Sequence, residues 1–341
     1  MSALDQSLAQ ATEVARGLVG KAVEVRRFVG GGRNSRIWHV RSGEREFALK
    51  QYPSREEDTR DRLATEVGAL KLMERYRIDT VPRVVNFDRD RGYALLSWID
   101  GRDVQTVSDT DIGSAVAFLA TIHALRQTPW ALAQPLAAEA CLCGAEIERQ
   151  LNDRLMRLRG ATAKEKEMIE FLDDSVTPRM THWRTKAGHL IAEAGLDFKV
   201  DLPQEWRSLV PSDFGFHNSL RRGDGSLAFV DFEYFGWDDP VKLTADILLH
   251  PGRTLPAPQR RRFQQGALAL YADDPAFAKR LQAYLPLFGL RWVLILLNEF
   301  IPERWQRRVL AGDTGSWSDA KARQLSRARE FLAELPEKVE D

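Results

Sequence analysis

The hydrophobic period of the chain changes near residue 100, and that change limits the architectures open to it. From Lys21 to Trp98 the pattern is strand-like. Val23, Val25 and Phe28 are interleaved with Glu24, Arg26 and Arg27, and Ile37-Trp38-His39-Val40 and Phe47-Ala48-Leu49 follow across a turn at Ser42-Gly43. One helix interrupts these strands. Its apolar positions Leu63, Val67, Leu70 and Met73 recur at helical spacing and predict a helix from Glu56 to about Arg75. Val84-Val85-Asn86-Phe87 and Tyr93-Ala94-Leu95-Leu96 then read as a hairpin around Asp88 to Gly92.

Beyond Gly101 the period is helical. Ile112, Val116, Leu119 and His123 fall on one stripe, with candidate N-caps at Asp109 to Asp111. Residues from about Ala138 to Leu196 are helical and rich in charge, and the chain is helical again from Pro258. Strand signals return only near Leu220 and over Leu227 to Asp231. The pattern predicts an α+β protein of two lobes. A small β-rich lobe would cover residues 1–99, and a larger, mainly helical lobe residues 100–341, with a helical insertion at about 138–205. A length of 341 residues suits two such units.

Composition removes several function classes. The 49 basic and 49 acidic residues cancel, which argues against a general nucleic-acid binder. Two cysteines, Cys141 and Cys143, are too few for a disulfide framework or a four-ligand zinc site. The first twenty residues carry Asp5, Glu13 and Arg16 and no apolar run, so no secretory signal is expected there. Leu281 to Asn298 is apolar but interrupted by Pro286, Gly289 and Arg291, and it reads as a buried core helix rather than a membrane span. The expectation is a cytoplasmic protein with neither a nucleic-acid nor a membrane partner.

Four motifs in order carry chemistry. Gly30-Gly31-Gly32-Arg33-Asn34-Ser35 lies between two strands, and glycines let backbone N–H groups approach a phosphate closely. Alone, the triplet is equally a hairpin turn. It has neither the spacing of a Rossmann turn nor the Gly-Lys-Ser/Thr ending of a Walker A loop. Lys50 ends the strand Phe47-Ala48-Leu49-Lys50, and Glu66 lies on the helix that follows, where a carboxylate could hold the lysine as an ion pair. The fourth motif is Pro211-Ser212-Asp213-Phe214-Gly215-Phe216-His217-Asn218, followed by Phe229-Val230-Asp231-Phe232-Glu233 across a turn at Gly223-Asp224-Gly225. Phosphoryl transfer needs one oxygen to take the acceptor hydroxyl proton and others to hold the metal that bridges the phosphates. Asp213, Asn218 and Asp231 supply that set. Were Asp231 and Glu233 in an extended segment, both would point to the same side.

With these motifs in this order, the chain resembles the aminoglycoside phosphotransferase and choline kinase group of the protein-kinase-like superfamily, at least from Val25 to Pro251. The resemblance implies a two-lobed protein-kinase-like fold, with ATP and Mg2+ as cofactors. It implies a small-molecule kinase moving the γ-phosphoryl group to a hydroxyl of a sugar, amino sugar, amino alcohol or aminoglycoside-like acceptor. Gly30, Gly31, Gly32, Asn34 and Ser35 would cover the phosphates, Lys50 would bind them and Glu66 would pair with Lys50. Leu96, Ser97, Trp98 and Ile99 would form the hinge that holds adenine. Asp213 would be the catalytic base, Asn218 and Asp231 metal ligands, and Glu233 a further contact to a second metal. Asp246 would brace the catalytic loop.

Two departures stand out. The family writes His-Gly-Asp where this chain has Pro211-Ser212-Asp213, and its glycine-rich loop is a plain triplet. They motivate a second reading, a nucleotide-binding pseudokinase acting as a regulatory module. A protein kinase fits poorly, because Phe232-Glu233 follows Asp231 and no Ala-Pro-Glu signature comes after it. For the acceptor, the stretch from Pro211 to Asp246 holds three cations and seven anions. That predicts an acidic rim at Asp238 and Asp239 favouring neutral or cationic molecules. Tyr234, Phe235 and Trp237 would offer aromatic faces to them or simply pack the lobe.

Overall fold

The computed structural model describes residues 3–28, 35–54, 58–252, 254–310 and 315–340. In chain order the elements are α1 (Ala3–Val19), β1 (Glu24–Arg27), β2 (Arg36–Ser42), β3 (Arg45–Gln51), α2 (Arg62–Arg75), β4 (Val84–Asp88), β5 (Tyr93–Ser97), β6 (Arg102–Asp103), α3 (Asp109–Ala124), α4 (Pro129–Leu132), α5 (Gly144–Ala161), α6 (Lys166–Phe171) and α7 (Thr177–Glu193). Then come β7 (Ser208–Val210), β8 (Ser219–Arg221), β9 (Leu227–Phe229), β10 (Gly236–Asp238), α8 (Pro240–Leu249), α9 (Ala257–Leu270), α10 (Phe277–Leu296), α11 (Pro302–Leu310) and α12 (Trp317–Glu340). The α+β reading holds.

The chain packs into two compact units. One comprises residues 1–107, 117–138 and 209–237; the other comprises 108–116, 139–208 and 238–341. Both units are built from separate stretches of the chain. The loop and strands that carry Asp213, Asn218 and Asp231 lie in the same unit as the amino-terminal strands: β8 pairs with β6, and the Phe229 amide donates to the Thr80 carbonyl at 2.8 Å.

The first unit is built on a five-stranded antiparallel sheet of order β1-β2-β3-β5-β4. Strand alternation sorts its side chains. Trp38, Val40, Phe47, Leu49, Tyr93 and Leu95 bury one face against Ala11, Val14 and Ala15 of α1. Lys50 lies next to Leu49 in sequence and so leaves the sheet on the other face. Helix α2 begins at Arg62, one residue before the first apolar position Leu63; Glu56, the expected start, lies outside the described residues. Asp61 caps it, its carboxylate accepting from the Ala64 amide at 3.0 Å. At α3 the cap is Ser108 rather than an aspartate. Its amide and hydroxyl donate to Asp111 at 2.7 Å each, and its hydroxyl accepts from the Asp111 amide at 3.2 Å, a reciprocal capping pair. A three-stranded sheet of order β6-β8-β9 completes this unit's strands, with β7 and β10 pairing separately.

The second unit is helical. Helix α10 is long and apolar enough to span a membrane by length and composition, but most of it is buried in the protein as the central core helix. A Cβ at Gly289 would meet the Leu335 side chain at 2.4 Å, so that glycine lets α12 lie close against α10. Charged residues are buried here too. Asp246 accepts from Arg291 at 3.0 and 3.1 Å and pairs with Lys242 at 3.3 Å.

Candidate active site

Lys50 is the hub of the site. Its ammonium reaches Glu66 Oε2 and Asp231 Oδ1 at 2.6 Å each and Glu233 Oε2 at 3.2 Å. Burial alone would pull the lysine pKa down. Asp231 and Glu66 outweigh it and hold the group protonated, well above the ordinary lysine range. Glu66 is fixed from three sides. The Tyr52 hydroxyl donates to Oε2 at 2.6 Å, Lys50 to the same oxygen, and the Phe232 amide to Oε1 at 3.2 Å. Helix α2 is thereby tied both to β3 and to the segment after Asp231.

The Asp213 loop joins β7 to β8. Ser212 takes a left-handed backbone, φ +68°. Asn218 donates from Nδ2 to the Asp213 carbonyl at 2.9 Å and from its amide to the Gly215 carbonyl at 3.0 Å. The Val230 amide donates to the Asn218 carbonyl at 3.0 Å, which sets Asn218 beside the residue preceding Asp231. Each aspartate is anchored by the phenylalanine that follows it. Phe214 and Phe232 are buried in the aromatic cluster around Phe118, whose ring centroid lies 4.4 Å from that of Phe229. Asp213 itself stays 40% exposed, and its Oδ1 lies 3.0 Å from His217 Nε2.

Asp231 and Glu233 do converge on Lys50, though not by strand alternation. Strand β9 ends at Phe229, and Asp231 takes φ +71° before a turn. Their surroundings differ. Asp231 keeps a quarter of its side chain exposed. Burial, with Glu233 and Glu66 nearby, pushes its carboxyl up to about 6 against the pull of Lys50. Glu233 is enclosed. Oε1 accepts from Arg62 at 2.6 Å, and Oε2 accepts from Ser35 at 2.8 Å and faces Lys50. Burial would raise its pKa, but Lys50 and Arg62 hold it below the ordinary range. Arg62 also binds Asp58 and lies over the Tyr234 ring at 5.0 Å.

The carboxylate oxygens of Glu66, Asp231 and Glu233 lie within 4.8 Å of one another. Hard oxygen donors in negative excess suit Mg2+. Asp231 is the member of the three with a solvent-facing carboxylate, and the Asn218 loop lies beside it.

At the expected hinge, Leu96 is in register with Ala48 on β3. The Ser97 amide donates to the Arg83 carbonyl at 2.9 Å and the Trp98 amide to the Glu46 carbonyl at 3.4 Å. Among the described residues, the Ile99 amide has no such partner. The Trp98 ring packs against His39 and Phe28, with centroids 4.5 and 5.6 Å apart. Gly30, Gly31, Gly32 and Asn34 lie outside the described residues.

The acidic rim is not there. Asp238 and Asp239 are buried; Asp238 lies 3.6 Å from Lys242, and Asp239 is bound by Arg280 at 2.9 Å. Phe235 and Trp237 are buried as well and pack the fold. Sequence reasoning missed Tyr52 and Arg62 and gave His217 no role. Only His217 had a signal, its place within the Asp213–Asn218 loop.

The model of the phosphotransferase enzyme family (APH) matches residues 25–281. The chain belongs to that family. As a phosphotransferase of the small-molecule kinase type, it is similar in fold to several solved structures. Choline kinase LicA from Streptococcus pneumoniae is 16% identical, with a TM-score of 0.56 over 96% of this chain and 99% of that one. An aminoglycoside phosphotransferase from Alicyclobacillus acidocaldarius is 14% identical, with a TM-score of 0.58 over 95% and 96%. A choline kinase from Cryptosporidium parvum is 10% identical, with a TM-score of 0.57 over 93% and 90%. Among curated proteins no match was found.

Proposed function

We propose that this phosphotransferase moves the γ-phosphoryl group of ATP to a hydroxyl of a small polar molecule. The observation that carries the reading is the buried Lys50–Glu66–Asp231 cluster with the more exposed carboxylate of Asp213 on the loop that also bears Asn218. Asp213 accepts the acceptor's hydroxyl proton as that oxygen bonds to the γ-phosphorus, and the bond to the ADP oxygen breaks. Lys50, kept protonated, draws the phosphates to the site. The Ile99 amide meets the adenine edge, since the amides of Ser97 and Trp98 are already engaged. Asn218 and Asp231 would hold Mg2+, which when bound would neutralise phosphate charge. Glu233 acts instead as an anchor between Ser35, Lys50 and Arg62, because those donors engage both of its oxygens.

For the acceptor we infer a sugar, amino sugar, amino alcohol or aminoglycoside. Support comes from the absence of a peptide-binding signature after Asp231 and from the fold's neighbours. These include choline kinases, a gentamicin complex and a ternary complex with ADP and hygromycin B. Solved LicA also includes a complex with AMP. The buried Asp238 and Asp239 remove the charge argument for a cationic acceptor.

The test is ATP consumption with glucose, glucosamine, choline, gentamicin and hygromycin B as acceptors. Turnover with at least one is expected, and Asp213→Asn should lower its kcat by about 10²- to 10⁴-fold with ATP affinity little changed. An ATP-dependent rise in Tm with no turnover on any acceptor would favour the pseudokinase reading.

A further inference from the structure

We infer that His217 is the positioning residue of the catalytic base. The inference rests on the assignment of Asp213 as base. Three features carry it. His217 Nε2 lies 3.0 Å from Asp213 Oδ1, hydrogen-bond distance to a carboxylate that is 40% exposed. The contact follows from the loop's own geometry. Phe216–Asn218 forms a single 3-10 turn, which brings residue 217 back over residue 213. Gly215 makes room for the ring. A Cβ there would come within 3.0 Å of both Cε1 and Nδ1 of His217, closer than nearly all such contacts.

The backbone at Gly215 has no easy way to yield. Its carbonyl accepts both from the Asn218 amide at 3.0 Å and from the Ser219 hydroxyl at 2.9 Å. The imidazole is therefore held between a fixed backbone and the Asp213 carboxylate. That sets the plane of the carboxylate before an acceptor arrives. A base that must meet a hydroxyl in one orientation gains rate from such fixing, and about 1 Å of misplacement costs about 10²-fold.

The experiment compares wild type with His217→Ala, His217→Gln and Gly215→Ala. It uses the fastest acceptor of the panel above and reads kcat, the KM for ATP and the Tm rise caused by MgATP. His217→Ala should lose about 10²-fold in kcat while the KM for ATP and the nucleotide-dependent Tm rise stay within about twofold. His217→Gln, which returns an N–H near the Nε2 position, should recover at least about tenfold of that loss. Gly215→Ala, which keeps the histidine but displaces its ring, should fall toward His217→Ala. The inference is overturned if His217→Ala keeps its kcat, if glutamine does no better than alanine, or if His217→Ala abolishes the nucleotide-dependent Tm rise. A wild-type protein that turns over no acceptor removes the base assignment and this inference with it. An active wild type with indifferent variants removes this inference alone.

Discussion

Two residues of the candidate site, Ser212 and Asp231, hold left-handed backbone at φ +68° and +71°. For an L-residue with a Cβ this conformation costs about 1–2 kcal/mol, and glycine is spared it. The middle position of Pro211-Ser212-Asp213 thus sits where glycine would be unstrained, and here a serine bears the cost. Ser212→Gly should stabilise the protein by about 1 kcal/mol in urea unfolding. Reduced stability would show that the serine contributes more than its strain costs. At Asp231 the informative change is to asparagine, which tolerates the same φ and so removes charge without disturbing the turn. Asp231→Asn should lower kcat at least about 10²-fold even at saturating Mg2+, by analogy with deleting one transition-state contact. Near-normal kcat in that variant would take Asp231 out of the metal site.

Helix α2 shows what a linear sequence reveals and what it hides. Its apolar period was readable, whereas the pairing of Glu66 with Lys50 followed from the family resemblance, since α2 also carries Glu74 and the linear pattern does not choose between them. Its first turn was not readable. Arg62 reads as an ordinary surface cation, yet it is buried and reaches Glu233, 171 positions away. Long-range ion pairs leave no local period. Asp238 and Asp239 misled for the same reason, since carboxylates look exposed until their partners Lys242 and Arg280 are located. His217 was visible but had no assignable role, because a lone histidine beside an asparagine says nothing of which atom it faces. The helix-level prediction concerns the Lys50–Glu66 pair. In a double-mutant cycle, Lys50→Ala and Glu66→Ala should show a coupling of about 0.5–3 kcal/mol in unfolding free energy, as expected for groups in one buried network. Additive losses would mean that the 2.6 Å contact is not populated in solution.

Each compact unit has its own buried charge cluster, and the balance of each fits a different role. Lys50 and Arg62, helped by the half-exposed Arg60, face Asp58, Glu66, Asp231 and Glu233, so carboxylates are in excess where a divalent cation would bind. In the second unit Lys242, Arg291 and Arg154 face Glu139, Asp238 and Asp246, three against three. That balanced network holds α5, α8 and α10 together. Asp238 is its weak member. Its Oδ1 accepts from the Cys141 and Asp239 amides at 2.8 Å each, whereas among the described residues Oδ2 has no hydrogen-bond donor, only Lys242 at 3.6 Å. Burial pushes its carboxyl from the ordinary 3.8 to about 6. The folded state therefore binds this proton more tightly than the unfolded chain does. The stability the group contributes is fully present below about pH 4 and is lost as pH rises through about 6, an effect of about 3 kcal/mol for that shift. Asp238→Asn cannot ionise and keeps the Oδ1 contacts. Its stability relative to wild type should thus climb by about 3 kcal/mol between pH 4 and pH 7 and stay level above that, when urea unfolding of both proteins is followed across the range. Parallel pH curves would mean that Lys242 already compensates the buried charge in full.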